Sequence, residues 1–291
     1  MAEVAWQNIR SPVTIPTMER HFGNLLEAQW DKGHFLCVGL DPDIEKIPTT
    51  EKKASIRETI ASFNRAIVDA TKDIVCAYKP NQAFYEAQGT EGWEALKDTV
   101  SYIREVASNV PIILDAKRGD IGNTNNGYER MAFDFFGVDA ITVHAYQGCE
   151  ALEPFFARKD KGVFILARTS NPGAGEFQDL EVEGEPLYKI IARAAVRWNT
   201  NANVGVVVGT TYPKELALVR AVVGEMPILM PGTGAQGGDL EASVRLGKNK
   251  VGKGIIINAS RAILYVSKNA DFARLARSKA EELHSAIQKA L

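Results

Sequence analysis

The chain has 291 residues, of which 45% are hydrophobic, and its formal net charge at neutral pH is −2. This composition allows a large buried core and excludes a disordered or fibrous chain. Basic residues are scattered without a basic or aromatic-basic run, and no apolar stretch approaches the roughly 20 residues of a membrane span, so we expect neither a nucleic-acid partner nor a membrane partner.

In the first half of the chain, amphipathic patterns alternate with short apolar runs. Apolar residues at helical spacing predict a helix that Thr17 caps and Gly33 ends, and further helices over 50–71, over 91–107 and from Thr124 through Phe136. The apolar runs between these helices predict three strands, at 35–40, 74–78 and 111–114.

The second half continues the same alternation. Five more apolar runs predict strands at 140–143, 162–167, 204–208, 227–230 and 254–257. The helices that follow them are expected over 149–158, over 187–199, from Pro213, after an Asp239 cap, and over 271–291.

The eight apolar runs are continuous rather than alternating, which indicates strands that are buried on both faces. Eight such strands, each followed by a helix, predict an α/β protein with a single (β/α)8 TIM barrel and an extra N-terminal helix. We expect one domain over residues 1–291, with a helical extension at 1–33 and the barrel with its C-terminal helix at 34–291. We therefore expect no second catalytic domain in these residues.

Cysteine and histidine usage points to a reducing compartment and to no metal site. Cys37 and Cys76 lie in apolar runs, where a thiol is most often a small core residue, and there is no Cys-x-x-Cys. The four histidines do not have metal-ligand spacing, and His144, at the end of the fourth strand, reads as a partly buried, satisfied histidine. Residues 1–20 lack the pattern of a signal peptide, so we expect a cytoplasmic protein.

The end of the third strand carries the strongest chemical signal. It reads Asp115-Ala-Lys117-Arg-Gly119-Asp120, and strand alternation predicts that Asp115 and Lys117 point the same way. Gly119 allows a sharp turn that brings Asp120 back near the strand end, and Thr124 is expected to cap the next helix. A surface ion pair of little energetic value is the alternative interpretation.

The active site of such a barrel lies at the C-terminal ends of its strands. A glycine-rich segment, 231–238, follows strand seven, and Asn258-Ala-Ser-Arg261 follows strand eight. Backbone N–H groups at these two strand ends commonly hold a phosphate, and Arg261 could add a bidentate contact. A flexible loop without a ligand is the alternative for these glycines. The candidates at strand ends are Asp41, Lys79, Asn81, Asp115, Lys117, Asp120, His144, Ser170, Gln236, Ser260 and Arg261.

Together these segments resemble the orotidine 5′-phosphate decarboxylase family, and in length its longer, type 2 subgroup. The segments that carry the resemblance span roughly residues 34–265: Gly39-Leu-Asp-Pro42, Lys79-Pro-Asn-Gln-Ala-Phe-Tyr85, Asp115-x-Lys117-x-x-Asp120, Arg168-Thr-Ser-Asn-Pro-Gly173, Pro231-Gly-Thr-Gly-Ala-Gln-Gly-Gly238 and Asn258-Ala-Ser-Arg261. The resemblance implies decarboxylation of orotidine 5′-phosphate to UMP, the last step of de novo pyrimidine nucleotide synthesis, without a metal or cofactor.

The resemblance also implies the catalytic roles. Lys117 would protonate C6 of the pyrimidine as CO2 leaves, and Asp115 would lie against the substrate carboxylate. Lys79 would touch the ribose and complete an array of alternating charges with Asp115 and Lys117, here called the charge array. Asp120, with Ile121 and Thr124, would reach into the site of a neighbouring subunit, which makes the expected assembly a homodimer with shared active sites.

The remaining implied roles concern substrate binding. Ser170 would bond the pyrimidine edge, and Asp41 and Asn81 would hold ribose hydroxyls or the phosphate side. Gln236 would close over the phosphate, which would be held by Arg261 and by the backbone near Gly234 and Ser260.

Two other functions fit parts of the pattern. A sugar-phosphate decarboxylase or aldolase of the same superfamily would use Asp115 and a nearby acid as Mg²⁺ ligands, and chelator sensitivity would reveal it. A non-catalytic nucleotide-phosphate binding protein would tolerate loss of Lys117. The segment 168–173, which is suited to binding the edge of a nucleobase, and the complete charge array both favour the decarboxylase.

Overall fold

The computed structural model describes residues 20–232 and 239–291. Within these ranges, the eight parallel strands are β1 Leu36–Leu40, β2 Val75–Pro80, β3 Ile113–Arg118, β4 Ala140–Val143, β5 Gly162–Arg168, β6 Val204–Val208, β7 Ile228–Pro231 and β8 Ile255–Ala259. They form one sheet in the order β2-β1-β8-β7-β6-β5-β4-β3, and bridges Tyr78–Ile112 and Asn81–Asp115 join its edges. The predicted (β/α)8 barrel is confirmed.

Helices surround this barrel. They are α1 Phe22–Trp30, α2 Ile56–Thr71, α3 Gln82–Glu86, α4 Gly89–Val106, α5 Gly122–Arg130, α6 Cys149–Phe156, α7 Gly175–Gln178, α8 Leu187–Trp198, α9 Pro213–Val223, α10 Leu240–Gly247, α11 Arg261–Leu264 and α12 Phe272–Ala290. A π-helical turn, Met131–Phe136, extends α5. No helix in the described ranges is long and apolar enough to cross a bilayer.

Burial explains why these segments adopt their structures. Every residue of β1, β2, β4, β6 and β8 is buried, as continuous apolar runs require. In α2, the buried face includes Ile60, Phe63 and Ile67, which recur at helical spacing. The main core therefore lies between the outer face of the strands and the inner face of the helices.

Helix α1 packs against the end of the barrel opposite the strand ends that carry charge. The Phe22 ring meets Phe164 edge-on, with centroids 5.7 Å apart, and Trp30 Nε1 donates to the Ile255 carbonyl at 2.9 Å. The extra N-terminal helix is thus present, although its predicted Thr17 cap lies outside the described residues.

Two predicted segments differ in the structure. The helix expected over 50–71 begins at Ile56, because Ser55 accepts the Glu58 N–H as its N-cap, and only a 3-10 turn, Thr49–Glu51, precedes it. The connection between β5 and α8, for which the sequence predicted no helix or strand, contains α7 and a two-stranded hairpin of Glu181–Val182 and Glu185–Pro186.

Candidate active site

A cavity of about 530 Å³ opens at the C-terminal ends of the barrel strands. All eight strands or the residues just after them contribute to its lining, so the barrel itself brings together side chains that are far apart in sequence. Eight of the residues singled out in the sequence line it: Asp41, Lys79, Asn81, Asp115, Lys117, Ser170, Ser260 and Arg261.

Asp115 lies between two lysines in this cavity. Lys79 Nζ is 2.9 Å from Asp115 Oδ2, and Lys117 Nζ is 2.6 Å from Asp115 Oδ1. The Lys79 side chain is 4% exposed and that of Asp115 is 13% exposed, whereas Lys117 is 49% exposed and reaches into the open space. The structure therefore presents one ammonium group to a ligand and keeps the other beneath it.

Lys79 and Asp115 each stabilise the charged form of the other. Burial by itself would lower the pKa of Lys79, but the attraction of Asp115 and Asp41 outweighs it and raises that pKa above its ordinary value. Burial would raise the pKa of Asp115, yet Lys79 and Lys117 hold it well below its usual range. Lys79 and Asp115 are therefore both ionised at neutral pH.

Simple strand alternation does not account for the position of Lys117. Its φ is +49°, in the left-handed region, and a register shift separates Leu114 from Arg118 in the pairing with β4. Lys117 and Asp115 do share a cavity, as predicted, but an irregular backbone brings them there. Thr142, which lines the cavity beside them, belongs to no motif that the sequence offered.

The ends of β1 and β8 are joined around Asp41. Ser260 Oγ donates to Asp41 Oδ2 at 2.5 Å, and the Tyr265 hydroxyl donates to the Asp41 carbonyl at 2.6 Å. Gly39 permits this approach, since a Cβ there would lie 2.8 Å from the Ser260 Cβ. Asp41 Oδ1 is buried and has no hydrogen-bond partner within 20–232 and 239–291, so it is available to a ligand hydroxyl.

The loop after β5 is fixed from outside the cavity. Arg168 is 2% exposed; its guanidinium stacks 3.9 Å from the centroid of the Tyr212 ring, and its Nη2 donates to Asp179 at 3.0 Å. Within the loop, the Thr169 N–H donates to Gln178 Oε1 at 2.8 Å. These contacts place Ser170 and Gln178 at the cavity wall, and the part played by Gln178 and Tyr212 was not foreseen.

Only part of the predicted phosphate-binding end of the cavity lies within the described residues. Arg261 begins the short helix α11, lines the cavity and forms no ion pair with a carboxylate among the described residues. Asp239 caps α10, as predicted, by accepting the Ala242 N–H at 2.9 Å. Gly234 and Gln236 lie outside the described residues, and their roles remain predictions.

Asp120, Ile121 and Thr124 do not line this cavity. Ile121 is 58% exposed and Thr124 is also exposed. The prediction that Thr124 caps the helix was wrong, because α5 already begins at Gly122. Asn125 closes the turn instead: its side chain accepts the Asp120 N–H at 3.1 Å and donates to the Asp120 carbonyl at 2.6 Å.

Comparisons with known protein families, sequences and structures all point to one family. Residues 34–274 match the family model described as Orotidine 5′-phosphate decarboxylase / HUMPS family. The orotidine 5′-phosphate decarboxylase of Cupriavidus necator is 47% identical over 270 residues, 92% of this chain and 98% of that protein. The protein of the same name from Thermomicrobium roseum is 49% identical over 272 residues, 92% of this chain and 95% of that protein. The solved OMP decarboxylase of Leishmania donovani matches with a TM-score of 0.79 and 38% identity, over 92% of this chain and 99% of that one.

Proposed function

The chain belongs to the orotidine 5′-phosphate decarboxylase family, and on that basis we propose that its cavity converts orotidine 5′-phosphate to UMP and CO2 with Lys117 as the proton donor. The observation that carries this proposal is the Lys79–Asp115–Lys117 array, with contacts of 2.9 and 2.6 Å, at the carboxyl end of the barrel. The resemblance seen in the sequence is confirmed by the family match over residues 34–274.

The reaction requires a site that stabilises negative charge as it moves. Breaking the bond between C6 and the carboxylate releases CO2 and leaves an electron pair on C6, which the pyrimidine ring delocalises poorly. The Lys117 ammonium would stabilise that pair and then transfer a proton to C6, so that one proton is consumed for each CO2 released. A cation held by a fixed carboxylate suits this task because it needs no reorganisation during the step.

Asp115 would act on the substrate carboxylate by repulsion. Two like charges about 4 Å apart at an effective dielectric near 20 repel by roughly 4 kcal/mol. Relief of that repulsion as CO2 departs would correspond to about three powers of ten in rate. Lys79, buried beneath Asp115, keeps the carboxylate ionised and available for this role.

The rest of the cavity would hold the remainder of the nucleotide. Asp41 offers a buried oxygen without a partner in the described ranges, which supports a contact with a ribose hydroxyl, and Asn81, which also lines the cavity, would supply a second polar contact. Ser170 would bond the pyrimidine edge, and Arg261 would pair with the phosphate, together with Gly234 and Gln236.

Following the family resemblance, we propose that Asp120, Ile121 and Thr124 reach into the site of a partner subunit, and their position outside the cavity of their own subunit is compatible with that role. Mixing two inactive variants, Lys117→Ala and Asp120→Asn, tests this homodimer with shared sites. In a mixed dimer one site receives both native residues, so random reassociation should restore about a quarter of the wild-type activity. Activity that stays near zero after mixing, or a fully active Asp120→Asn variant, contradicts the assignment.

The first experiment is the loss of absorbance of orotidine 5′-phosphate with purified protein and excess EDTA. Chelator-resistant conversion to UMP supports the proposal. Activity on a sugar phosphate that appears only after Mg²⁺ is added would instead indicate the metal-dependent branch. Binding of UMP without turnover of either substrate would indicate a binding protein.

Two broader expectations belong to the same proposal. A cytoplasmic location suits a nucleotide biosynthetic enzyme, and cell fractionation with an antibody tests it. The barrel with its N-terminal extension is proposed to unfold as one domain, since α1 packs on the barrel through Phe22 and Trp30. A single urea transition seen by both fluorescence and circular dichroism is the expected result.

A further inference from the structure

The pairing of β3 with β4 is interrupted at the point where Lys117 lies. Ile113 pairs with Ala140 and Leu114 with Ile141, but the next pair is Arg118 with Val143. The three residues 115–117 of β3 therefore lie opposite the single residue Thr142 of β4. Bulges of this kind redirect a side chain near an active site and leave backbone groups without their ladder partners.

Lys117 adopts an unusual backbone conformation within this bulge. Its φ of +49° is one of three positive values among the non-glycine residues of the described ranges. Left-handed geometry is unfavourable for a residue with a long side chain and persists where the surrounding structure holds it in place. The Lys117 backbone therefore needs an anchor.

The Thr142 hydroxyl supplies that anchor. Its Oγ1 accepts the Lys117 N–H at 3.0 Å, and the same hydroxyl donates to Asp115 Oδ1 at 3.0 Å. A hydroxyl has one proton and two lone pairs, so both bonds form together. Asp115 Oδ1 also accepts from Lys117 Nζ at 2.6 Å. One side chain, 1% exposed, thus fixes both the backbone of Lys117 and the carboxylate that binds its ammonium group.

We propose that Thr142 is a positioning residue that aims the Lys117 ammonium group at the reacting carbon. The inference rests on the proposed function, in which Lys117 protonates C6. Thr142→Val keeps the size and branching of the side chain but leaves the Lys117 N–H without an acceptor and Asp115 with one donor fewer. Misplacement of a reacting group by about 1 Å can lower a rate by the order of 10²-fold.

The test compares three variants in single-turnover decarboxylation, so that the chemical step is observed. Thr142→Val should lower the rate at saturating substrate by about 10- to 100-fold while KM changes less than about threefold. Thr142→Ser, which keeps the hydroxyl, should recover most of that loss. Thr71→Val is the matched control: Thr71 is fully buried, 2.8 Å from the Tyr78 hydroxyl and outside the cavity, so its loss should lower the melting temperature but not the rate.

Three results would overturn the inference. A Thr142→Val rate within threefold of wild type would show that the hydroxyl does not position Lys117. Equal losses in the serine and valine variants would show that packing of the methyl group matters instead. A higher KM with an unchanged rate would make Thr142 a binding contact. Failure of the proposed function is distinct, because wild-type protein itself would then not decarboxylate orotidine 5′-phosphate.

Discussion

Replacing Asp115 with asparagine removes the charge that holds two ammonium groups together, and we expect it to lower both stability and turnover. Lys79 Nζ lies 2.9 Å from this carboxylate and its side chain is 4% exposed. At an effective dielectric near 20, the Coulomb attraction at that distance is roughly 6 kcal/mol. Desolvation of the two groups offsets part of it, and breaking a buried pair at one partner typically costs about 3–5 kcal/mol.

We therefore expect Asp115→Asn to lower the free energy of unfolding by about 3–5 kcal/mol at neutral pH. Lys117 adds little to this figure, because its side chain is 49% exposed and solvent screens the interaction. Turnover should fall by at least about 10²-fold, since the ammonium group of Lys117 loses the carboxylate that holds it in place.

The pH dependence provides a second measure of the same interaction. Burial alone would raise the pKa of Asp115, but Lys79 and Lys117 depress it below its ordinary value in the folded protein. A depressed carboxyl pKa contributes stability that is present above the unfolded-state pKa and is lost as pH falls through the folded-state pKa. The stability difference between wild type and Asp115→Asn should therefore be largest above about pH 5 and should shrink as pH approaches about 2.

The assay is urea unfolding of both proteins between neutral and acid pH. Asp43→Asn is the control: Asp43 also pairs with a lysine, Lys46, at 2.5 Å, but both side chains are partly exposed, at 27% and 52%. That variant should stay within about 0.5 kcal/mol of wild type. An Asp115→Asn protein within about 1 kcal/mol of wild type at neutral pH would refute the claim that the buried pair stabilises the fold.

Three further substitutions test other parts of the site. Lys117→Ala should reduce the rate of single-turnover decarboxylation by about 10⁴-fold or more, since it removes both the proton donor and the cation. A variant that keeps a tenth of the wild-type rate would contradict the assignment of Lys117. Arg261→Ala should raise KM for the nucleotide by about 10- to 100-fold and leave the turnover of orotidine, which lacks the phosphate, unchanged; equal losses on both substrates would argue against a phosphate contact. Arg168→Met removes the stack on Tyr212 and the bond to Asp179, so it should loosen the loop that carries Ser170. Faster amide hydrogen exchange over residues 169–178 is the expected result, and unchanged exchange would show that other contacts hold the loop.

Local patterns in the sequence determined the architecture of this protein. Continuous apolar runs such as 204–208 predicted strands buried on both faces, and β6 has the same bounds in the structure. Because parallel strands present their carboxyl ends at one face of a barrel, the sequence alone places the charged residues after them in one site. Asp41, Lys79, Asp115 and Lys117 do lie together.

Only the tertiary structure decided how those residues are held. Thr142 is one threonine in an apolar strand, and nothing local indicates that its hydroxyl meets Asp115, 27 positions away, and Lys117. Tyr265 and Tyr212 likewise act across long sequence separations, on Asp41 and on Arg168. Periodicity and strand-end position depend on neighbouring residues and can be read from sequence. A bulge, a left-handed lysine and a shared hydroxyl depend on the register between strands, which is set only when the whole barrel closes.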